Sequence, residues 1–260
     1  RILLVVGSYR EAQQVAEDLV EIRGDWRDQV LHLVADDTEF TDYWTPTLRR
    51  GEVSRLAGTG ARFLVAPLLA VERGHNILTE DGHAAIGSAY FLVRPHPHPD
   101  DISYPVQSMS RWAVRCIDQL RNGEHGYSTS DLATLARRLR RDGYGRWQRL
   151  LTAPLVYGSL TEEERAALAW TQLVSIWQVV GRLVRGGCAA RVHFCDARFF
   201  PGPGHPGDPA SLLVGMHRVL DTYLGPDATC DPAERELAES LYGPLHHALT
   251  TLLEGAAHAG

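Results

Sequence analysis

The sequence contains no lysine, and all 26 of its basic residues are arginine. A P-loop lysine, a Schiff-base lysine and a lysine general base are therefore excluded from its chemistry. A GC-rich genome explains this composition most simply, because it also accounts for the frequent Ala, Gly and Pro residues. Arginine keeps one functional advantage, since its planar guanidinium stays charged and can bind phosphate oxygens through two donors at once.

Cysteine is also scarce, with four residues that form no C-x-x-C pair and no short, even spacing. A reduced, cytoplasmic protein is predicted, and no metal-ligand set is expected from these thiols. No apolar run approaches the roughly 18 residues of a membrane-spanning helix. The net charge of −6 excludes a generally basic surface, so a nucleic-acid site would have to be a local patch.

The chain begins on the apolar strand pattern Ile2–Val6, without a signal-peptide layout or an initiator Met. We expect it to be cut from a longer protein. Its 260 residues, 44% of them hydrophobic, suffice for one full core with a helical appendage.

What the sequence does contain is an alternation of strand and helix patterns over residues 1–95. Buried apolar strands are predicted at Ile2–Val6, Gln29–Val34, Ala61–Ala66 and Ala85–Val93. Helices are predicted at Arg10–Ile22 and Leu48–Leu56. Buried strands separated by helices imply a parallel, three-layer α/β sheet.

The second half of the sequence is predicted to be mostly helical. A helical insertion is expected at about 100–160, and the capping box Thr161–Glu164 starts a long helix. A last strand is predicted at Arg191–Cys195, and helices at Ala210–Leu224 and Ala233–Leu253, with a frayed tail after them. We therefore expect one domain, with its core at about 1–95 and 160–200 and a helical extension at about 208–255.

The end of the long helix carries the most informative motif. It reads Gln178-Val179-Val180-Gly181-Arg182-Leu183-Val184-Arg185, followed by Gly-Gly and a strand. Arginines three apart lie close together on one helical face, so one phosphate chain could meet both. The pattern resembles motif VI of superfamily 2 helicases, whose arginines contact the γ-phosphate of ATP.

Two earlier segments resemble other helicase motifs in the expected order. The strand and turn ending in Ser8, Tyr9 and Arg10 are similar to motif IV, which touches nucleic acid. The segment Pro67–Ile77 is similar to motif V. There Arg73, Gly74 and His75 precede Asn76, where the family has an acidic residue that reaches the ribose. Leu68 stands near a position where the family has a Ser or Thr.

The resemblance is strongest to the DinG-like branch, because Gln178 replaces the usual His and the run 89–95 ends in Arg-Pro. It implies the second RecA-like domain of an ATP-dependent DNA helicase, a P-loop NTPase type of fold. Arg182 and Arg185 would be its arginine fingers, and Gln178, Gly181, Gly74 and Asn76 would line the nucleotide. The sequence has neither a G-x-x-x-x-G-K-[ST] motif nor a DEAH-type box.

The implied partners follow from those missing motifs. ATP and Mg²⁺ would be bound jointly with a first, N-terminal RecA-like domain of the same protein, and this chain alone would hydrolyse no ATP. DNA would be the track, and defence or repair proteins are further expected partners. Motif IV residues, together with Arg73 and His75, would contact the nucleic acid.

A second basic segment lies inside the predicted insertion. Its residues Arg137, Arg138, Arg140 and Arg141 lead to Tyr144, and more arginines and a Trp follow. Arginines interleaved with aromatic residues can hold phosphates and stack unpaired bases. An amphipathic helix with a solvated basic face is the alternative.

Other interpretations stay open at this stage. The arginines at 182 and 185 could simply favour the dipole at a helix C-terminus, and Gly181 could serve close packing. A degenerate RecA-like module that binds nucleic acid or protein without catalysis is the main alternative function. A stand-alone Rossmann-like enzyme ranks last, because no G-x-G-x-x-G follows the first strand. For His96 and His98 a loop is favoured over a metal site, because prolines separate them. His246 and His247 on the last helix are predicted to be a surface pair.

Overall fold

The computed structural model describes residues 1–39, 43–72, 76–95, 102–122, 131–152, 160–202, 205 and 207–258. These residues form two compact units. The first consists of residues 1–96 and 169–260, and the second of residues 97–168. The insertion expected at about 100–160 falls within the second unit.

The first unit is built on a six-stranded sheet in which every strand pair is parallel. Its strands are β1 (Ile2–Val6), β2 (Val30–Val34), β3 (Thr47–Arg49), β4 (Phe63–Pro67), β5 (Ser88–Phe91) and β6 (Arg191–Phe194). They lie in the order β3-β2-β4-β1-β5-β6. The central β1 is almost wholly buried because Leu, Val and Ile occupy both of its faces, as parallel sheets require.

One face of the sheet is covered by α1 (Tyr9–Ile22). Small residues at Ala12 and Ala16 let this helix approach the sheet closely, and Val20 continues the same apolar stripe. They pack against Leu4 and Val65 of the central strands.

The opposite face is covered by α5 (Glu162–Leu183), α6 (Leu212–Leu224) and α7 (Pro232–His258). Leu173 and Ile176 of α5 and Met216 of α6 are fully buried among the side chains of this face, including Leu3 and Phe91. Each such side chain contributes about 1.5–3 kcal/mol of hydrophobic stabilisation. No helix among the described residues is both long and apolar enough to cross a membrane.

The connections between the strands leave the centre of the sheet in two opposite directions. From β1 the chain runs through α1 to β2 on one side, whereas from β5 it continues to β6 on the other side. Adjacent strands whose connections leave in opposite directions define a switch point, where α/β proteins commonly bind ligands at the carboxyl ends of the strands.

The predicted α/β class and parallel sheet are confirmed, but two local predictions are wrong. The expected helix Leu48–Leu56 is instead the short edge strand β3, followed by a 3-10 helix over Arg50–Gly58. In that segment Val53 and Leu56 are buried three residues apart, which fits 3-10 geometry. The tail expected to fray from residue 254 continues as α7 to His258.

The second unit contains α3 (Ser103–Arg121), α4 (Leu132–Thr152) and the beginning of α5. Tyr104, Leu150 and Leu168 form its buried apolar cluster. The predicted capping box is present, because Thr161 Oγ1 accepts from the Glu164 N–H and Glu164 Oε2 accepts from the Thr161 N–H. The buried Glu164 also pairs with Arg149.

Candidate nucleotide and nucleic-acid sites

Arg182 lies in the last turn of α5, with its side chain turned into the apolar side of the sheet. Its Nη2 donates a hydrogen bond of 2.9 Å to the main-chain carbonyl oxygen of Glu72. Its Nε is buried and has no hydrogen-bond partner. The guanidinium borders a small cavity that is otherwise lined by apolar residues: Leu3, Val71, Ile77, Ile86, Val179 and Leu183.

The hydrogen bond joins two segments that are 110 positions apart in sequence. Glu72 belongs to the segment that resembles motif V, and Arg182 belongs to the segment that resembles motif VI. Leu68 and Val71 of the short helix α2 (Leu68–Val71) are buried, so the turn that follows β4 is fixed beneath α5. The fold therefore brings together two segments in which the sequence predicts site residues.

The charge at Arg182 is poorly compensated. Burial lowers the pKa of its guanidinium, the positive charge of Arg185 lowers it further, and only the Glu72 carboxylate acts in the opposite direction. The group nevertheless stays protonated at neutral pH, because arginine keeps its proton in proteins. An anion bound next to both arginines would relieve this repulsion.

Arg185 lies outside the helix, which differs from the expected position on one helical face. Helix α5 ends at Leu183, and Arg185 begins the 3-10 turn Arg185–Gly187. Gly186 and Gly187 adopt φ values of 72° and 75°, a left-handed conformation that cannot continue an α-helix. The Arg185 side chain is exposed, while its carbonyl oxygen accepts a hydrogen bond from the Ala84 N–H at 3.1 Å.

His83 fixes this turn, a role that the sequence did not reveal. Its Nδ1 lies 3.0 Å from the Gly186 carbonyl oxygen and 3.6 Å from Cys188 Sγ. In the sequence, the neighbouring Gly82 indicates a turn at this position, and its φ is 78° in the structure. A glycine does not indicate which residues the turn contacts. His83 therefore acts on the position of Arg185 through the main chain.

The polar residue and the glycine of the motif VI segment face solvent or open space, whereas Val179 and Leu183 are buried. Gln178 is exposed. A Cβ added to Gly181 would meet nothing within 4 Å, so close packing does not explain this glycine. The open space next to Gly181 leaves room for a ligand group.

Only part of the motif V segment is described. Asn76 is exposed beside the buried Ile77. The predicted site residues Arg73, Gly74 and His75 lie outside the described residues, as do His96 and His98.

The motif IV residues lie at the carboxyl end of β1. Ser8 is the N-cap of α1, since its Oγ accepts from the Glu11 N–H at 3.1 Å. Tyr9 is half-buried, and burial raises the pKa of its hydroxyl. Arg10 is exposed in the first turn of the helix.

Ser8, Tyr9 and Arg10 follow the carboxyl end of β1, whereas Arg182 and Arg185 lie towards the amino ends of the strands. Gln172 donates to the Pro95 carbonyl oxygen beyond the carboxyl end of β5, whereas Arg185 accepts from Ala84 before the amino end of β5. Helix α5 therefore runs antiparallel to the strands. At 1.5 Å per residue, Arg182 lies about 15 Å further along the helix axis than Gln172. The arrangement separates a candidate nucleotide site at the amino ends from a candidate nucleic-acid site at the carboxyl ends.

The basic segment of the second unit forms an exposed helical face. Arg137, Arg138, Arg140 and Arg141 of α4 are all exposed, and Tyr144 is 66% exposed. Arg138 and Arg141 lie 4.0 Å and 3.8 Å from carboxylate oxygens of Asp142, distances at which surface ion pairs are weak. Four cations and an aromatic ring are thus accessible together on one helix.

The two arginines that follow on α4 have a different role. Arg146 lies 3.8 Å from Glu163, and Arg149 pairs with Glu164. These ion pairs join α4 to the start of α5 within the second unit. They therefore account for part of the arginine content of this segment without any ligand.

Comparison with known proteins identifies no relative. No protein-family model, no curated protein and no solved structure matches the chain significantly. The class that the fold defines is an α/β protein with a parallel, six-stranded sheet flanked by helices, and function must be argued from the sites themselves.

Proposed function

We propose that the chain is the second RecA-like domain of an ATP-dependent DNA helicase of superfamily 2, similar to the DinG-like branch. The observation that carries the proposal is the position of Arg182. It is half-buried, bonded to the main chain of the motif V segment, next to a second arginine, and has one donor without a partner.

In the proposed reaction, ATP lies between this domain and a first RecA-like domain elsewhere in the same protein. That other domain would hold the phosphates and Mg²⁺, which compensate the charge of the γ-phosphate. Arg182 and Arg185 would stabilise the charge that develops on the transferred phosphoryl group. The hydrogen bond to Glu72 would orient Arg182, so that movement of the motif V segment and of the finger is coupled.

The nucleic-acid track is proposed to run along the carboxyl ends of the strands. Ser8, Tyr9 and Arg10 lie there, next to the switch point between β1 and β5. The nucleotide and the nucleic acid would bind at different ends of the strands. Opening and closing of the nucleotide cleft would then move the domain relative to the nucleic acid. We further propose a cytoplasmic location and a role beside defence or repair proteins.

One observation favours the second candidate, a RecA-like module without catalysis. Leu68 is buried at the start of α2, so no side chain from this position could bond a nucleic-acid phosphate. Asn76 also brings no charge to a ribose. A module of this kind would keep the fold and the exposed basic face of α4 but would not depend on Arg182 and Arg185.

DNA-stimulated ATP hydrolysis by the full-length protein separates the two candidates. The helicase proposal requires that Arg182→Ala and Arg185→Ala abolish turnover while nucleotide still binds. Turnover that is independent of both arginines would favour the non-catalytic module.

A further inference from the structure

Two histidines and an aspartate meet between α6 and α7, far along the chain from the helicase-like motifs. His217 Nδ1 lies 2.9 Å from Asp221 Oδ2, and His246 Nε2 lies 2.7 Å from Asp221 Oδ1. The donor atoms of all three residues lie within 4.8 Å of one another. The expected surface pair His246 and His247 is thus wrong for His246, whose side chain is 19% exposed.

The spacing of these residues explains how they converge. His217 and Asp221 are four apart on α6, so they share one face of the helix. The other face of α6 is buried in the core through Met216, Val219 and Leu220. Helix α7 packs alongside α6, and Leu245 and Leu249 anchor it so that His246 faces Asp221.

Thr250 completes the surroundings of the cluster. Its Oγ1 lies 3.0 Å from the His246 carbonyl oxygen and 3.0 Å from His217 Nε2. When the hydroxyl donates to the carbonyl oxygen, Nε2 of His217 donates to the hydroxyl, and Nδ1 of an uncharged ring presents its lone pair to Asp221. In this tautomer a metal ion can bind between Nδ1 and the carboxylate.

The cluster lies in a partly buried position between the two helices. The side chains of His217 and His246 are 22% and 19% exposed, and their rings are stacked with centroids 5.0 Å apart. One nitrogen of each ring therefore faces the same carboxylate.

We infer that His217, Asp221 and His246 bind a divalent transition-metal ion, with zinc as the chemically favoured ion. Two imidazoles and one carboxylate are a donor set that suits Zn²⁺. Metal–nitrogen distances of about 2.0–2.1 Å require the ligand atoms to separate by roughly half an ångström from their present positions. The side chains are partly exposed, so water can provide a fourth ligand.

Thr250 supports the orientation of His217. With Nδ1 bound to the metal, Nε2 carries the ring hydrogen and would donate it to Thr250 Oγ1, 3.0 Å away. Hydrogen bonds of this kind hold metal-ligating histidines in one tautomer and orientation. The ion would cross-link α6 to α7 and is independent of the proposed helicase function.

The test uses the 260-residue chain, free of any histidine tag and stripped of metal by a chelator. Zn²⁺ is titrated in the presence of a chromophoric competing chelator, and Co²⁺ is bound in parallel for its visible spectrum. We expect one ion per chain, a Co²⁺ spectrum typical of four nitrogen and oxygen ligands, and a rise in Tm on binding. Failure of the unsubstituted chain to bind one equivalent, or thiolate-to-Co²⁺ charge-transfer bands, would overturn the proposal.

Variants locate the site. His217→Ala and His246→Ala should lose the bound ion, and Thr250→Val should weaken it about 10- to 100-fold. His247→Ala removes an exposed neighbouring imidazole and should bind as the unsubstituted chain does. Retention of the ion by folded His217→Ala and His246→Ala would contradict the assignment. If an alanine variant fails to fold by circular dichroism, His217→Gln and His246→Gln replace it and must lose the ion.

Discussion

Arg182 donates a hydrogen bond from Nη2 to the main-chain carbonyl oxygen of Glu72, a residue 110 positions earlier in the chain. This bond connects the end of α5 with the turn that follows β4. A solvated arginine at a helix C-terminus would not need such a partner, and its charge would not be half-buried next to Arg185. The contact therefore favours a site over a helix end that only interacts with the helix dipole.

The first prediction concerns Gly181, where stability and activity should change in opposite directions. Because an added Cβ meets nothing within 4 Å, Gly181→Ala should stabilise α5 by about 0.5–1 kcal/mol. If the open space receives phosphate, the same methyl group should lower ATP turnover of the full-length protein. Urea denaturation and ATPase rates measure the two effects. A more stable variant with normal turnover would show that this glycine is merely tolerated.

The second prediction concerns the turn that positions Arg185. Gly186→Ala should lower the free energy of unfolding by at least about 1–2 kcal/mol, since Gly186 has a positive φ. Its Cβ would also lie 2.6 Å from His83 Nδ1 and 3.0 Å from His83 Cα. Gly187→Ala is the matched control, with a φ of 75° but open space around the added atom. Equal losses in the two variants would contradict the proposed role of His83.

The third prediction concerns the basic face of α4. Changing Arg137, Arg138, Arg140 and Arg141 together to Gln should weaken binding of single-stranded DNA by the full-length protein. The slope of log affinity against log salt should become shallower by about 3, since each contact with a single strand contributes about 0.7. Fluorescence anisotropy at several salt concentrations measures both quantities.

The control for this experiment removes the same charge elsewhere. The exposed arginines Arg23, Arg27, Arg55 and Arg62 of the first unit are changed to Gln in the same way. This control variant should keep most of the affinity and the original salt slope. If both quadruple variants lose the same affinity, the effect is one of net charge, and the α4 face is only a solvated helix surface.

The fourth prediction follows from His32, a fully buried histidine on β2. Its Nδ1 lies 2.9 Å from Thr45 Oγ1, and its Nε2 is buried without a partner. Burial lowers the pKa of His32, opposed only by Glu17. As pH falls below the ordinary histidine pKa of about 6.5, His32 is therefore protonated in the unfolded chain but still uncharged in the folded chain. The free energy of unfolding should fall there, by up to about 1.4 kcal/mol per pH unit from this group.

Urea denaturation between pH 5 and pH 7.5 measures this slope. His32→Asn keeps a group that can bond Thr45 and should flatten the slope relative to the unsubstituted chain. His247→Asn changes an exposed histidine and should leave it as it was. An unaltered slope in His32→Asn would mean that His32 titrates normally in the folded protein.

The fold class could be predicted from the sequence because the central strands are apolar throughout. Ile2–Val6 agrees in both bounds, and the strand that follows α5 agrees to within one residue. The edge strand β3 could not be found, since it is three residues long and buries only Leu48. A pattern that short contains no period, and its place at the sheet edge is decided by pairing with β2.

The sites were predictable to a more limited degree. Spacing selected Arg182, but not its partner, because a main-chain carbonyl oxygen has no signature in sequence. Helix α5 ends before Arg185, next to the left-handed Gly186. The sequence shows the Gly-Gly pair but not the conformation that it adopts. The sequence predicts a surface position for His246, because its contact with Asp221 depends on the packing of α7 against α6 and joins positions 25 residues apart.

The central claim is that Arg182 and Arg185 act on ATP, and ATP hydrolysis by the full-length protein tests it most directly. The measurement compares DNA-stimulated turnover of the unsubstituted protein with Arg182→Ala, Arg185→Ala and the control Arg23→Ala, an exposed arginine paired with Asp25. We predict that each finger variant loses turnover by on the order of 10³-fold while nucleotide binding is retained, and that the control is unchanged. Unaltered turnover in both finger variants would contradict the claim and leave a RecA-like binding module as the function.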